Sequence, residues 1–73
     1  MARANGPDLR HQIFELLLDK VRNDTYPSVT MLDMVESLLQ RQDLQEYADV
    51  LIDKVTNDAY PSMDMLRRLQ KLA

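Results

Sequence analysis

The sequence predicts an all-α protein: a compact four-helix bundle made of two duplicated antiparallel helical hairpins, related by an approximate internal twofold. The first observation is a 34-residue repeat, because residues 16–38 match residues 50–72 at 12 of 23 positions without a gap, where composition alone gives roughly one or two. The second is that apolar residues recur in steps of three and four, which is typical of amphipathic helices. The third is a 45% hydrophobic content with a single glycine, which disfavours disorder and strand-rich folds.

Length and composition limit how such a fold is stabilised. We expect a disordered tail over residues 1–6 and one helical domain over 7–73, with repeats at about 7–40 and 41–73. A chain of 73 residues buries only a little over half of the surface that it exposes when unfolded. Cysteine is absent and His11 is the single histidine, so disulfides are excluded and no metal site is expected. Packing or self-association must supply the stability.

Net charge and hydropathy limit the classes of partner that this chain is expected to bind. The net charge is −3 and the pI is about 4.9, so no overall positive field attracts nucleic acid or an anionic membrane. No apolar run is longer than that of Leu16 to Leu18, and residues 1–7 lack the apolar core of a signal peptide. We therefore expect a cytoplasmic protein with no membrane partner.

The first helix is predicted from about Pro7 to Arg22. Pro7 suits a first helical turn, and Asp8 places a negative charge at the positive end of the helix dipole. The apolar stripe of this helix is broad, as expected for a helix that packs against two neighbours. Its members are Leu9, Ile13, Phe14, Leu16, Leu17, Leu18 and Val21.

A repeated turn, Asn23 to Ser28 and again Asn57 to Ser62, follows the first and third helices. We expect Asn to end each helix in the left-handed conformation, Pro to set the turn and Ser to cap the next helix. Tyr26 and Tyr60 are expected to lay their rings on the core. Both turns lie at one end of an up-down bundle, which makes the two tyrosines candidates for a shared partner surface.

The other helices are predicted over Val29 to about Gln40, Leu44 to Thr56, and Met63 to about Leu72. Their expected inner faces are Met31, Leu32, Met34, Val35, Leu38 and Leu39; Leu44, Tyr47, Ala48, Leu51, Ile52 and Val55; and Met65, Leu66, Leu69 and Leu72, respectively.

The segment from Gln40 to Asp43 is polar but contains neither Gly nor Pro, so the second and third helices could join and swap between chains. We expect a break, because Asp43 can cap the third helix in a weak capping box with Glu46.

Charge distinguishes the two repeats. Asp33 and Met34 of the second helix align with Arg67 and Arg68 of the fourth. Opposite charges on equivalent faces favour pairing within or between molecules, at about 0.2–1 kcal/mol for each exposed pair. Met34 and Leu39 are additional apolar residues of the first hairpin. Either this hairpin lies more centrally in the bundle, or these residues face a partner. The candidate partner-binding residues are Tyr26, Asp33, Met34, Glu36, Leu39, Tyr60, Arg67, Arg68 and Lys71.

Catalytic constellations are absent from the sequence. His11 has no evident Ser or Cys nucleophile beside it, and there is no Gly-rich phosphate loop. The turn from Asn23 to Ser28 is too short for a calcium loop. We therefore expect no enzyme, no cofactor and no small-molecule substrate.

The expected function is that of a small non-catalytic protein–protein interaction module, either an adaptor or a self-assembling homodimer. The alternative is a DNA-associated regulator that uses the basic fourth helix, with Arg67, Arg68 and Lys71 on phosphates. Twelve acidic residues along the chain disfavour nucleic acid.

Overall fold

A computed structural model describes residues 5–57 and 62–73 of this chain. Four α-helices lie within these ranges: α1 (Asn5–Asn23), α2 (Val29–Leu38), α3 (Leu44–Asn57) and α4 (Met63–Leu72). A short 3-10 turn, Arg41–Asp43, precedes α3, and the described ranges hold no strand. The prediction of an all-α protein with four helices is confirmed. None of these helices has the length and apolar character needed to cross a membrane.

The chain divides into a first unit, Met1–Leu39, and a second unit, Gln40–Ala73. In the first unit α1 contacts α2, and in the second α3 contacts α4. The division falls at the polar segment that the sequence marks as a break. Each unit therefore contains one pair of contacting helices, and a copy of the repeated sequence lies between the two helices of each pair.

Asparagine ends both long helices through its side chain. The Asn23 Nδ2 group donates to the Asp19 carbonyl oxygen at 2.9 Å, and Asn57 Nδ2 donates to the Asp53 carbonyl oxygen at 2.8 Å. Each asparagine side chain thereby bonds to a backbone carbonyl in the last turn of its own helix, a local pattern that Asn favours. No residue in the described ranges has a positive φ, so the expected left-handed asparagine was wrong for these two positions.

The turn after α1 is held by Asp24, whose Oδ1 accepts from the Tyr26 backbone N–H at 3.2 Å. This is the local bond by which aspartate favours turns. Pro27 is buried, whereas Tyr26 is 73% exposed. The expectation that the Tyr26 ring covers the core was therefore wrong, because the proline takes the inner position. Tyr60 lies outside the described residues.

Serine caps α2 and α4 as the sequence predicts. The Ser28 Oγ accepts from the Met31 N–H at 3.0 Å, and the Ser62 Oγ accepts from the Met65 N–H at 3.3 Å. Both serines have extended backbone angles, as N-cap residues do. The paired caps fix where each short helix begins.

Loss of either cap should weaken the fold measurably. We expect Ser28→Ala or Ser62→Ala to lower the free energy of unfolding by about 0.5–2 kcal/mol, because a helix N–H loses its acceptor. Urea titration followed by circular dichroism measures this change. Ser28→Asp is the control, since its carboxylate keeps the acceptor. An equal loss in Ser28→Asp would show that the hydroxyl acts in some other way.

The break between α2 and α3 is confirmed, because Leu39 and Gln40 have extended backbone angles. The capping residues differ from those expected. The Gln40 N–H donates to the buried Asp43 carboxylate at 3.2 Å, and the Asp43 N–H donates to the Gln40 carbonyl oxygen at 2.8 Å. Asp43 thus reaches back to Gln40, and the predicted box with Glu46 was placed one turn too late.

Different faces of the repeated sequence are buried in the two units. Two residues that the sequence repeat aligns are called repeat counterparts, so that Phe14 has Ala48 as its counterpart. The burial pattern instead pairs Phe14 with Tyr47, the residue before Ala48. The other buried pairs have the same offset from the alignment. They are Leu18 with Leu51, Leu32 with Met65, and Val35 with Arg68.

A displacement of one residue rotates the inward face of an α-helix by about 100°. Leu18 is fully buried, yet its repeat counterpart Ile52 is 48% exposed. Leu32 is buried and its counterpart Leu66 is exposed. The expectation that Ile52 and Leu66 face inward was therefore wrong, and α3 and α4 present other faces to the interior.

Candidate protein-interaction surfaces

An exposed apolar stripe runs along α1. It consists of Leu9, Ile13 and Leu16, hereafter the α1 stripe, all of which are exposed. Their spacing of four and three residues places them on one side of the helix. Leu16 is 58% exposed, whereas its repeat counterpart Val50 is 6% exposed. The sequence assigned these residues to the apolar face without distinguishing an inner from an outer part.

The candidate residues on α2 divide into two groups. Asp33 and Met34 are exposed, while Glu36 and Leu39 are half-buried. The Met34 carbonyl oxygen accepts from the Ser37 hydroxyl at 2.7 Å. The exposed candidates on α2 are therefore the Met34 side chain and the adjacent Asp33 carboxylate, Val29 is a second exposed apolar residue of this helix, and Leu39 is its C-cap residue.

The three basic residues of α4 differ in their exposure to solvent. Arg67 and Lys71 are exposed, but Arg68 is buried. The Arg68 Nε donates to the Asp64 Oδ2 at 2.7 Å, one helical turn earlier. Asp64 lies in the first turn of α4, where the helix dipole favours a negative charge. Sequence reasoning grouped Arg68 with its neighbours, although an acid four residues before an arginine is the signal of such a pair.

The second unit has its own exposed apolar side chains, Ile52, Met63 and Leu66. Ile52 lies on α3, and the other two lie on α4 with Arg67 next to Leu66 in the sequence. Sequence reasoning missed Ile52 and Leu66 as surface residues because their counterparts Leu18 and Leu32 are equally apolar. Hydropathy alone does not separate the two faces.

The tyrosines at the repeated turns are only partly described. Tyr26 is exposed, and Tyr60 lies outside the described residues. The predicted surface that combines both tyrosines therefore stays a prediction. Tyr26 by itself offers an exposed aromatic ring directly before the capped start of α2, a residue type that is enriched in protein interfaces.

Metal-binding geometry is absent from the ranges 5–57 and 62–73, where no group of three or more His, Asp or Glu side chains could hold an ion. His11 is exposed, and its Nε2 lies 3.9 Å from the Glu15 Oε2 within α1. At this distance the two side chains are neighbours along one face of the helix, as residues four apart are.

No family model, curated protein or solved structure matches the chain. Its function is therefore argued from its own surfaces. Nine large apolar or aromatic side chains are exposed in the described ranges, and they include all three members of the α1 stripe. Apolar residues grouped on one helix face, rather than scattered singly, are typical of surfaces that bind protein.

Proposed function

We propose that this chain is a small non-catalytic helical module that acts by binding protein. The α1 stripe carries the proposal, because Leu9, Ile13 and Leu16 are exposed at the spacing by which a helix docks on an apolar groove or another helix. Burying a leucine or isoleucine side chain contributes about 1.5–3 kcal/mol relative to leaving it in water. These three side chains are about half exposed, so covering them would contribute about half of that value for each residue.

Each unit, we further infer, is an antiparallel helical hairpin, and the two arose by duplication. In the first unit an Arg10 guanidinium N–H donates to the Leu38 carbonyl oxygen. This bond joins the first half of α1 to the last residue of α2, as an antiparallel pair requires. The matching Ser28 and Ser62 caps support the same arrangement for both units.

A DNA-associated role for α4 has weaker support. Of its three basic residues only Arg67 and Lys71 are exposed, since Arg68 is buried against Asp64. Two cations provide few phosphate contacts, and the chain as a whole carries a net charge of −3. Protein binding through apolar faces agrees better with this distribution of charge.

Site-specific photo-crosslinking in the cells that express the chain tests the proposal. We expect a benzophenone amino acid at Leu16 to form discrete adducts with protein. The matched control is the same group at His11, which is also exposed on α1 but lies on the far side of the helix from the α1 stripe. Adducts at both positions alike, or at neither, would contradict a docking role for this face.

A further inference from the structure

The junction between α2 and α3 consists of residues that favour the very helix that it interrupts. Residues 37–46 contain no Gly, no Pro and no β-branched residue, and eight of the ten are Leu, Gln, Arg or Glu. These four types are among the best helix formers after alanine. Leu39 and Gln40 nevertheless have extended backbone angles. Local preference favours a helix through the junction, so the break has another cause.

The spacing of the inward residues also continues across the junction. One residue follows another in steps of three, four, four, four and three along Leu32, Val35, Leu39, Asp43, Tyr47 and Val50, hereafter the junction stripe. On a continuous α-helix these six would lie within an arc of about 120°. All are buried except Leu39, which is half-buried, and Asp43 is the polar member. A joined helix over 29–57 would therefore be amphipathic and about 43 Å long.

The first contact that opposes such a helix is made by Arg10. In a continuous helix the Leu38 carbonyl oxygen would accept from the Gln42 N–H, four residues later. Here it accepts from the Arg10 guanidinium, which belongs to α1 and lies 28 residues earlier in the chain. Hydrogen bonds from a charged group are roughly twice as strong as those between neutral groups. Arg10 thus occupies an acceptor that the joined helix needs.

The second contact is made by Asp43. In a continuous helix the Gln40 N–H would donate to the Glu36 carbonyl oxygen. Here the Gln40 N–H donates to the Asp43 carboxylate at 3.2 Å, and the Leu39 N–H donates to the Glu36 carbonyl oxygen at 3.2 Å. Asp43 is 4% exposed, and a hydrogen bond is stronger away from water. Both partners of the helical bond are therefore engaged elsewhere.

We propose that residues 29–57 can adopt two conformations, the broken one seen here and a single joined helix, and that Arg10 and Asp43 select the broken one. Both act as positioning residues, because each holds a backbone group of the junction. The inference goes beyond partner binding and makes the junction a conformational device. Loss of either bond to a charged side chain should shift the ratio of joined to broken chains by about tenfold or more.

The experiment compares the full-length wild type with Arg10→Met, Asp43→Leu and the double variant. The carbon chemical shifts of Leu39 and Gln40 are measured by nuclear magnetic resonance, because they distinguish extended from helical backbone. We expect extended values in the wild type, a move towards helical values in each single variant and helical values in the double variant. Asp43→Leu should have the larger effect, since it also makes the junction stripe wholly apolar.

Three control variants separate the proposed contacts from general helix preference. Arg41→Leu changes an exposed residue of the same turn and should leave the extended shifts in place. Asp43→Asn retains an oxygen that can accept from the Gln40 N–H, so it should keep the break. Arg41→Pro, added to the double variant, should restore the break. Proline is tolerated in a first helical turn but not inside a helix, and Gln40 before it is already extended.

Several results would overturn the inference. One is a double variant that is folded by circular dichroism yet keeps extended shifts at Leu39 and Gln40. Another is an equal change in Arg41→Leu and Asp43→Leu, which would show that apolar content alone decides the junction. If the double variant does not fold, the single variants decide, because a lack of any move towards helical shifts in both would contradict the proposed role of these bonds.

Discussion

Leu18→Ala should destabilise the chain by about 2–5 kcal/mol, because the deleted atoms are fully buried and leave a cavity. A chain of 73 residues has a total stability of roughly 4–11 kcal/mol at the usual value per residue. The substitution should therefore remove a large share of it. Urea titration at low protein concentration measures the loss without a contribution from association.

The matched control for Leu18 is Ile52, which occupies the same position in the repeat. Ile52→Ala should cost less than about 1 kcal/mol, because the side chain is half exposed and alanine is the better helix former. Equal losses at Leu18 and Ile52 would mean that the two units bury the same face, contrary to the one-residue displacement of their interiors.

The second large effect is expected for Tyr47→Ala. Here the buried residue lies in the second unit and its exposed repeat counterpart lies in the first, the reverse of Leu18 and Ile52. Tyr47 is fully buried on α3, so the truncation should cost about 3–5 kcal/mol, within the range for large aromatic residues. Tyr47→Phe keeps the buried ring and should therefore cost less than Tyr47→Ala. Calorimetry or urea titration gives both numbers.

The control for Tyr47 is its repeat counterpart Ile13, which is exposed on α1. Ile13→Ala should change the stability by less than about 1 kcal/mol. Taken with Leu18 and Ile52, the four substitutions test the displacement in both directions. A stable Tyr47→Ala protein that keeps its full helical signal would show that α3 does not bury this face.

The element boundaries follow from local chemistry that a sequence displays. Ser28 and Ser62 cap the helices at the positions that their identity predicts, and the polar segment after Leu38 ends α2. These features depend on a few neighbouring residues and on the preferences of Ser, Asn and Pro for particular backbone angles. Local information was sufficient for the caps and for the break, but it misplaced the capping partner of Asp43, the backbone angles of the two asparagines and the first residue of α1.

The choice of buried face depends on information that is not local. Leu16 and Leu18 have the same hydropathy, yet one is exposed and the other buried. A helix with apolar residues on two sides has two candidate inner faces, and only its neighbours in three dimensions select between them. For the same reason the exposure of Leu66 could not be predicted from composition or spacing, whereas the acid four residues before Arg68 was a local signal of its pair with Asp64.

The one-residue displacement also means that the two units tolerate change at different repeat positions. The first unit is constrained at Leu18 and Leu32, where the second unit exposes Ile52 and Leu66. Large-to-small changes in a core cost several kcal/mol, whereas most surface substitutions change stability little. Each half of the chain is therefore free to acquire polar residues at positions where the other half is not.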